Sequence, residues 1–500
     1  MSPPNVLFIL TDQQLKRCLG FTGDADARTP NLDALAAEGT VFRNVYTTCP
    51  ACTPARASLQ TGLYPFAHGM QTNLFMKGCM LHELPDSPDL LPRRLQAAGV
   101  TPILTGKWHL GFGPDAREDP YYRQHIDRID HHLTDVELPA EYHAASGLPS
   151  DRGYFGDDFP GHGGGGHDYP QFLAYLRTAG LSPRLRHDGP NHAEVLSGPE
   201  CTIDRYLADR AIHLIDTHAR DDAPFFCMLN FWGPHTPAFV PTEFFEPFRD
   251  AHFDPWPSWD IDPSTRPRIH HATRSHGKPW ADFERELRYA YAYTSFIDHE
   301  IGRVLEHLRR TGQLDNTTVI FSADHGDSMG IQAGLSNKSF HFYETAAGVP
   351  LFIRPAGGRG SGRRDCDAMV SLVDVPETIC DLMNAPPPQT PQHGRSLRPW
   401  LQEDTPDGWP DDVACEGSGL AHCLMSQRMY RRGDWKYVFN AGDLDELYHL
   451  GEDPHELHNL AVGSTSHPPE LNELREGLAD WMNRHGDQIL GQYQQIIHYS

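Results

Sequence analysis

Residues 49–62 read CPACTPARASLQTG, so that Cys52 has proline two positions on, at Pro54, arginine four positions on, at Arg56, and a second cysteine three positions before it, at Cys49. Three chemistries fit. A Cys-x-x-Cys pair can cycle between dithiol and disulfide, but such pairs work within a small strand–helix unit, and nothing around residue 49 isolates one. Thr53 can cap a helix that has Pro54 at its first position, a structural role that leaves chemistry open. A helix beginning here would also aim free N–H groups and a partial positive charge at Cys52, with Arg56 one turn in. That setting suits an anion or a thiolate of low pKa.

Other reactive side chains follow apolar runs. Asp12 and Gln13 follow Asn5–Thr11, and Lys107 and His109 follow Val100–Leu104. His235 follows Pro224–Phe231, and Asp324 and His325 follow Thr317–Phe321. Carboxylate and amide oxygens converging from two such places favour a hard divalent cation, Ca²⁺ first and Mg²⁺ or Mn²⁺ behind it. Asp12 alone would as readily be a turn residue, and any one of the 30 histidines would by default lie on the surface.

The runs that carry these residues read as strands buried on both faces, and they alternate with helix signals such as Thr29-Pro30-Asn31-Leu32. This predicts an α/β protein with an open, mainly parallel sheet, whose site lies beyond the carboxyl ends of the strands. From about 113 to 200 the pattern gives way to His, Asp, Pro and Gly, including GHGGGGHDYP, and reads as a solvated insertion or as a lid that shapes the substrate site. Pro386–Pro391 reads as a linker. Beyond it, alternating stretches such as Trp435–Phe439 and a helical Pro469–Arg484 predict a small α+β tail with an antiparallel sheet.

Composition narrows the function. A formal net charge of −25 over 500 residues opposes binding to nucleic acid or anionic membranes, while 39% hydrophobic residues suffice for a large core. The start MSPPNVLFILTDQQ has no basic leader, and its apolar run is too short to span a bilayer, so the chain as given reads as cytoplasmic, with its 10 cysteines as free thiols.

Cys52-Thr-Pro-Ala-Arg56, continued by Ala57-Ser-Leu-Gln-Thr-Gly62, resembles the signature of the type I sulfatases of the alkaline phosphatase superfamily. The resemblance extends through Val6–Asp12, Thr105–Gly111, Gly233-Pro-His235-Thr-Pro, Ser322-Ala-Asp324-His-Gly-Asp327, Lys338, Tyr343-Glu344 and Glu446–Pro454, in the family's order. It implies an alkaline-phosphatase-like, mixed but mostly parallel sheet flanked by helices over residues 1–390, and a smaller C-terminal α+β subdomain over 391–500.

It further implies that a formylglycine-generating enzyme oxidises Cys52 to formylglycine, whose hydrate attacks the sulfur of a sulfate ester, expels the alcohol and then releases sulfate by re-forming the aldehyde. A thiol could attack but could not eliminate in this way. By the same resemblance Asp12, Gln13, Asp324 and His325 hold a metal with the modified Cys52, Lys107 and Lys338 hold sulfate oxygens, and His109 assists the diol. His235 or Lys338 protonates the leaving oxygen, Arg56 orients the site, and Asn73 contacts the sulfate.

Gln13 and His325 stand where the commoner pattern has Asp and Asn, as in choline sulfatases and phosphonate monoester hydrolases; the imidazole shifts preference toward Mn²⁺ and leaves the metal open among Ca²⁺, Mg²⁺ and Mn²⁺. The expected substrate is a sulfated saccharide, with a small alkyl or aryl sulfate second and a phosphonate monoester or phosphodiester as the rival. Lys107 and His109 favour sulfate. Phe253, Trp256, Trp259, Arg266, Arg268 and Trp280 could stack a sugar and pair with a second anion, or could pack the protein's own surface. A homo-oligomer is compatible with the sequence.

Overall fold

The structure, a computed structural model, describes residues 3–74, 81–111, 113, 147–161, 166–218, 223–275, 277–338, 340–402, 405–420, 423–462 and 468–499. In chain order its strands are β1 Asn5–Asp12, β2 Thr40–Tyr46, β3 Thr101–Gly106, β4 Phe155–Gly156, β5 Leu185–His187, β6 His192–Val195, β7 Phe225–Pro234 and β8 Ala238–Pro241. They continue with β9 Thr317–Ala323, β10 Leu351–Arg354, β11 Arg364–Ser371, β12 Asp412–Leu420, β13 Cys423–Arg432, β14 Trp435–Asn440 and β15 Glu446–His449.

Eight strands form one sheet in the order β11-β2-β10-β9-β1-β7-β3-β4. Only β10 runs antiparallel to its neighbours; β1 is parallel to both β7 and β9, and β3 to both β7 and β4. The continuous apolar run of β1 is explained by helices on both faces. Its alternate side chains enter separate cores: Leu7 and Ile9 pack with the helices Ile203–His218 and Trp280–Arg310, and Val6, Phe8 and Leu10 pack with Cys52–Thr61 and Asp374–Leu382.

The tail has its own antiparallel sheet, β12-β13-β14-β15, covered by the helix Glu470–His485, which buries Leu471, Leu474, Leu478 and Trp481. It is firmly attached to the main sheet. The Lys436 ammonium, fully buried, donates to Glu344 Oε1 at 3.0 Å and Glu456 Oε1 at 2.7 Å, and Arg431 donates to the Tyr46 hydroxyl.

The proline-rich 386–391 stretch is pinned to the main body: the Asp89 carboxylate accepts from the N–H groups of Gln389 and Thr390 and from the Thr390 hydroxyl, and Arg94 donates to the Pro386 carbonyl. One expectation needs correction: the stretch between 113 and 200 is not uniformly irregular. It carries the helix Pro170–Ala179 and the strands β5 and β6, which join β8 in a small sheet, because Phe172 and Leu176 give that helix one apolar face to bury. Residues 114–146, and 162–165 of the Gly-rich run, where a lid was considered, lie outside the described residues.

Candidate active site

Parallel pairing brings the reactive residues together. Thr11 of β1 is in register with Ala323 of β9, so Asp12 and Asp324 emerge side by side, and Asp12 pairs with Pro234 of β7, just before His235. Gly106 ends β3 opposite Asn230 of β7 at a φ of 99°, and a Cβ there would lie 1.8 Å from the Asn230 carbonyl oxygen. Only glycine lets the strands approach this closely, and Lys107 follows at once.

The helix Cys52–Thr61 points its N-terminus at the same place. Its capping differs from the expectation: the N-cap is Ala51, not Thr53, and no side chain of that residue caps it. The Thr53 hydroxyl instead donates to the His109 carbonyl at 2.9 Å, and the Thr53 N–H is satisfied by Asn73 Oδ1 at 2.9 Å. Asn73 therefore reaches the site as a cap supplied from outside the helix.

Asp12, Cys52, Asp324 and His325 are all buried, and each offers one ligating atom within 4.8 Å of the other three. Cys52 Sγ lies 3.1 Å from His325 Nε2, 3.9 Å from Asp12 Oδ1 and 3.7 Å from Lys107 Nζ. The His325 Nδ1 faces the Gly326 carbonyl at 2.8 Å, so Nδ1 carries a proton and Nε2 is the atom turned to the cluster; burial lowers the pKa of the ring, but Asp324 and then Cys52 raise it, and the net shift is upward. Two carboxylate oxygens, an imidazole nitrogen and the Cys52 side chain make a donor set that fits a divalent cation.

The charges around the cluster are matched. Arg56 donates through Nη2 to Asp12 at 2.8 Å and through Nε to Asp324 at 2.9 Å, and Lys107 Nζ lies 2.5 Å from Asp12 Oδ2. Burial would push the Asp12 carboxyl up, but the charged Lys107, Arg56 and Lys338 outweigh it and hold the pKa well below the carboxylate range. Burial and Asp12 likewise raise the Cys52 thiol while Lys107, Lys338 and His325 lower it, and the net shift is downward. Around this centre the carboxylates of Asp12, Asp324 and Asp327 balance the cations Arg56, Lys107 and Lys338. A divalent ion would therefore make the pocket positive, as retention of an anionic ester requires.

Gln13 lies beside the cluster, its N–H held by Asp324 Oδ1 at 3.1 Å. Its Oε1 accepts from Lys338 Nζ, and its Nε2 donates to Asp327 Oδ2. His235 Nδ1 donates to the Thr236 carbonyl at 2.5 Å; burial, and then Lys338, hold its pKa well below the ordinary histidine value. The sequence did not reveal what holds this loop. The Asp204 carboxylate accepts from the Gly233 N–H at 3.4 Å and from the Tyr293 hydroxyl at 2.6 Å. Also unassigned were Thr47, whose hydroxyl donates to the Asp324 carbonyl at 2.6 Å, and Asp327, legible only as the fourth residue of Asp324-His-Gly-Asp.

Several aromatic and basic residues of 252–288 pack against the protein itself, while Trp256, Trp259 and Trp280 remain half-buried. Trp259 lies edge-on to Trp280 and Phe283, Phe253 stacks on Tyr291, and Trp256 carries the Arg17 guanidinium at 4.5 Å. Arg266 donates to the Glu456 and Leu457 carbonyls, and Arg268 pairs with Asp443. Cys49 shares no disulfide with Cys52; burial, and then Glu416, hold its thiol well above the ordinary cysteine range.

The sulfatase family model matches residues 4–385. The chain belongs to the sulfatase family. A second model, the C-terminal region of N-sulphoglucosamine sulphohydrolase, matches residues 332–484. This sulfatase is 29% identical to the uncharacterized sulfatase YidJ of Escherichia coli K12, over 97% of this chain and 88% of that one. It is also 29% identical to the choline-sulfatase of Rhizobium meliloti, over 92% and 82%. Among solved structures it resembles the phosphonate monoester hydrolase of Agrobacterium radiobacter, with a TM-score of 0.74 and 25% identity over 97% of this chain and 96% of that one. The sulfatase is a sulfuric ester hydrolase with an alkaline-phosphatase-like fold, and none of its described helices is long and apolar enough to cross a membrane.

Proposed function

We propose that Cys52 is converted to formylglycine and that its hydrate cleaves a sulfate ester, a carbohydrate sulfate before a small alkyl or aryl sulfate. The observation that carries this reading is the setting of Cys52: its Sγ sits at a helix N-terminus, 3.1 Å from His325 Nε2 and 3.7 Å from Lys107 Nζ. That environment favours an oxyanion and attack by an oxygen nucleophile. A divalent cation held by Asp12, Gln13, Asp324 and His325 with the modified Cys52 would supply Lewis acidity and charge stabilisation there.

The chain's own groups do the rest. Lys107, fixed beside Asp12, and Lys338 neutralise sulfuryl oxygens as charge builds on them. His235 stays neutral, with its one proton on Nδ1 committed to Thr236, so Lys338 is the better donor to the leaving oxygen. His109 is placed by its N–H, which donates to the Pro160 carbonyl at 2.7 Å, and is assigned to assist the diol. Cys52 is only 1% exposed in the folded chain, so a formylglycine-generating enzyme would have to reach it before the helix packs.

A carbohydrate sulfate is favoured by the match of residues 332–484 to the C-terminal region named for N-sulphoglucosamine. The choline-sulfatase relative supports a small alkyl sulfate, and the likeness to a phosphonate monoester hydrolase keeps that activity as the second reading. The test is release of inorganic sulfate by purified, matured protein from sulfated mono- and oligosaccharides, choline sulfate and aryl sulfates, beside phosphonate esters with the same leaving groups. A higher kcat/KM on any phosphonate than on every sulfate would reverse the two readings.

A further inference from the structure

We infer that Asn230 is a positioning residue for this hydrolysis: its side-chain amide carries the hydrogen bonding of β7 one step past the end of β3 and so fixes Lys107 against the sulfuryl group. The inference rests on the role proposed above for Lys107.

The pairing of β3 with β7 ends at Gly106 opposite Asn230, and Lys107 is the first residue beyond it. Asn230 holds that residue on both sides. Its carbonyl accepts from the Lys107 N–H at 3.1 Å, and its Nδ2 donates to the Lys107 carbonyl at 2.9 Å. Only one orientation of the amide allows the second bond, because a carbonyl oxygen accepts but cannot donate. Asn230 shares a strand face with Phe226 and Met228, which lie in the core beneath the helix Cys52–Thr61. From that helix Arg56 Nη1 donates to the same Lys107 carbonyl at 2.9 Å. Asn230 is 2% exposed, and its Oδ1 has no hydrogen-bond partner among the described residues. A buried amide with an acceptor left over costs stability, so the fold itself gains little from an asparagine at this place.

Lys107 carries its ammonium to within 3.7 Å of Cys52 Sγ on a flexible four-carbon stem, whose placement depends on the backbone it leaves. That backbone follows a glycine at a φ of 99°. Without the Asn230 amide, Arg56 alone holds the Lys107 carbonyl. A displaced ammonium loses its grip on oxygens that gain charge in the transition state, so kcat falls while KM holds. The leaving oxygen is served by Lys338, so esters with good and poor leaving groups lose alike.

The test compares Asn230→Leu, Lys107→Met and the double variant with the wild-type protein, each matured and metal-loaded. It reads kcat and KM on 4-nitrophenyl sulfate and on a simple alkyl sulfate, together with bound metal per chain. Asn230→Leu should lose roughly ten- to hundredfold in kcat on both esters, as a small misplacement of a working group does. KM and metal content should hold. In the Lys107→Met background the same change should cost less than about twofold, since the group it positions is gone. Asn230→Ala repeats the cycle should leucine not fit the site. Independent, multiplying losses would overturn the inference, because Lys107→Met keeps the backbone carbonyl and with it any effect passed through Arg56 or the fold. Loss of metal in Asn230→Leu would overturn it too. If Lys107→Met keeps full turnover, the role given to Lys107 is itself wrong; if it loses turnover and Asn230→Leu does not, only Asn230 is misassigned.

Discussion

Asp12 and Asp324, 312 positions apart in the sequence, share one guanidinium: Arg56 reaches the first at 2.8 Å and the second at 2.9 Å, and all three side chains are sealed from solvent. Parallel register sets the two carboxylates side by side, and the helix that starts at Cys52 delivers the arginine one turn later. The bridge fixes the geometry of the cluster before any cation enters, since each carboxylate keeps one oxygen on Arg56 and the other turned elsewhere: Asp324 Oδ1 accepts from the Gln13 and His325 N–H groups.

Arg56→Ala should therefore damage the fold as well as the chemistry. Removing one partner of a buried ion pair leaves charges with nothing to face, at a cost of about 3–5 kcal/mol. Urea unfolding should show a lower midpoint with an unchanged slope. Arg56→Lys should recover some stability but little activity, because one ammonium cannot span both carboxylates as a fork does. A fully active Arg56→Ala protein would remove Arg56 from the site.

Metal removal should abolish turnover and soften the fold together. Exhaustive chelation should stop sulfate release, and adding Ca²⁺ or Mn²⁺ to about 100 times its Kd should restore both activity and about 2.7 kcal/mol of stability. Asp12→Ala and Asp324→Ala should each lose activity by orders of magnitude, since each gives up a ligand oxygen. Full turnover in protein shown by elemental analysis to hold no divalent metal would end this reading.

The pH dependence of stability has a buried contributor in His68. Its Nδ1 accepts from the Met70 N–H at 3.1 Å, and burial lowers its pKa to about 3. Because the folded pKa lies below the unfolded value of about 6.5, the unfolded chain takes up a proton first. The stability tied to His68 is then complete above that value and is lost as pH falls, at up to about 1.4 kcal/mol per unit. The wild-type advantage over His68→Gln in unfolding free energy should accordingly shrink between pH 7 and pH 5. An advantage that stays constant over that range would mean the ring is not held neutral.

The carboxyl ends of β1, β3, β7 and β9 were legible because a doubly buried strand is a continuous apolar run, and the polar residues that end it stand out. The helix start was misplaced because Thr53 is a good cap by type, whereas its hydroxyl is drawn away by the His109 carbonyl. The Arg56 bridge and the Asp327–Gln13–Lys338 chain were not legible, since their partners are joined only by folding.

The central claim is that Cys52, and not Cys49, becomes the nucleophile by oxidation to formylglycine. Only Cys52 has proline and arginine at the second and fourth following positions; after Cys49 those places hold Ala51 and Thr53. The measurement is mass spectrometry of the peptide spanning residues 44–56 from an active preparation, with thiol alkylation and aldehyde capture run in parallel. The account predicts that Cys49 is alkylated, that position 52 is captured as an aldehyde in proportion to activity, and that Cys52→Ala is inactive. An active preparation in which Cys52 is wholly alkylatable thiol, with no aldehyde species, would contradict it.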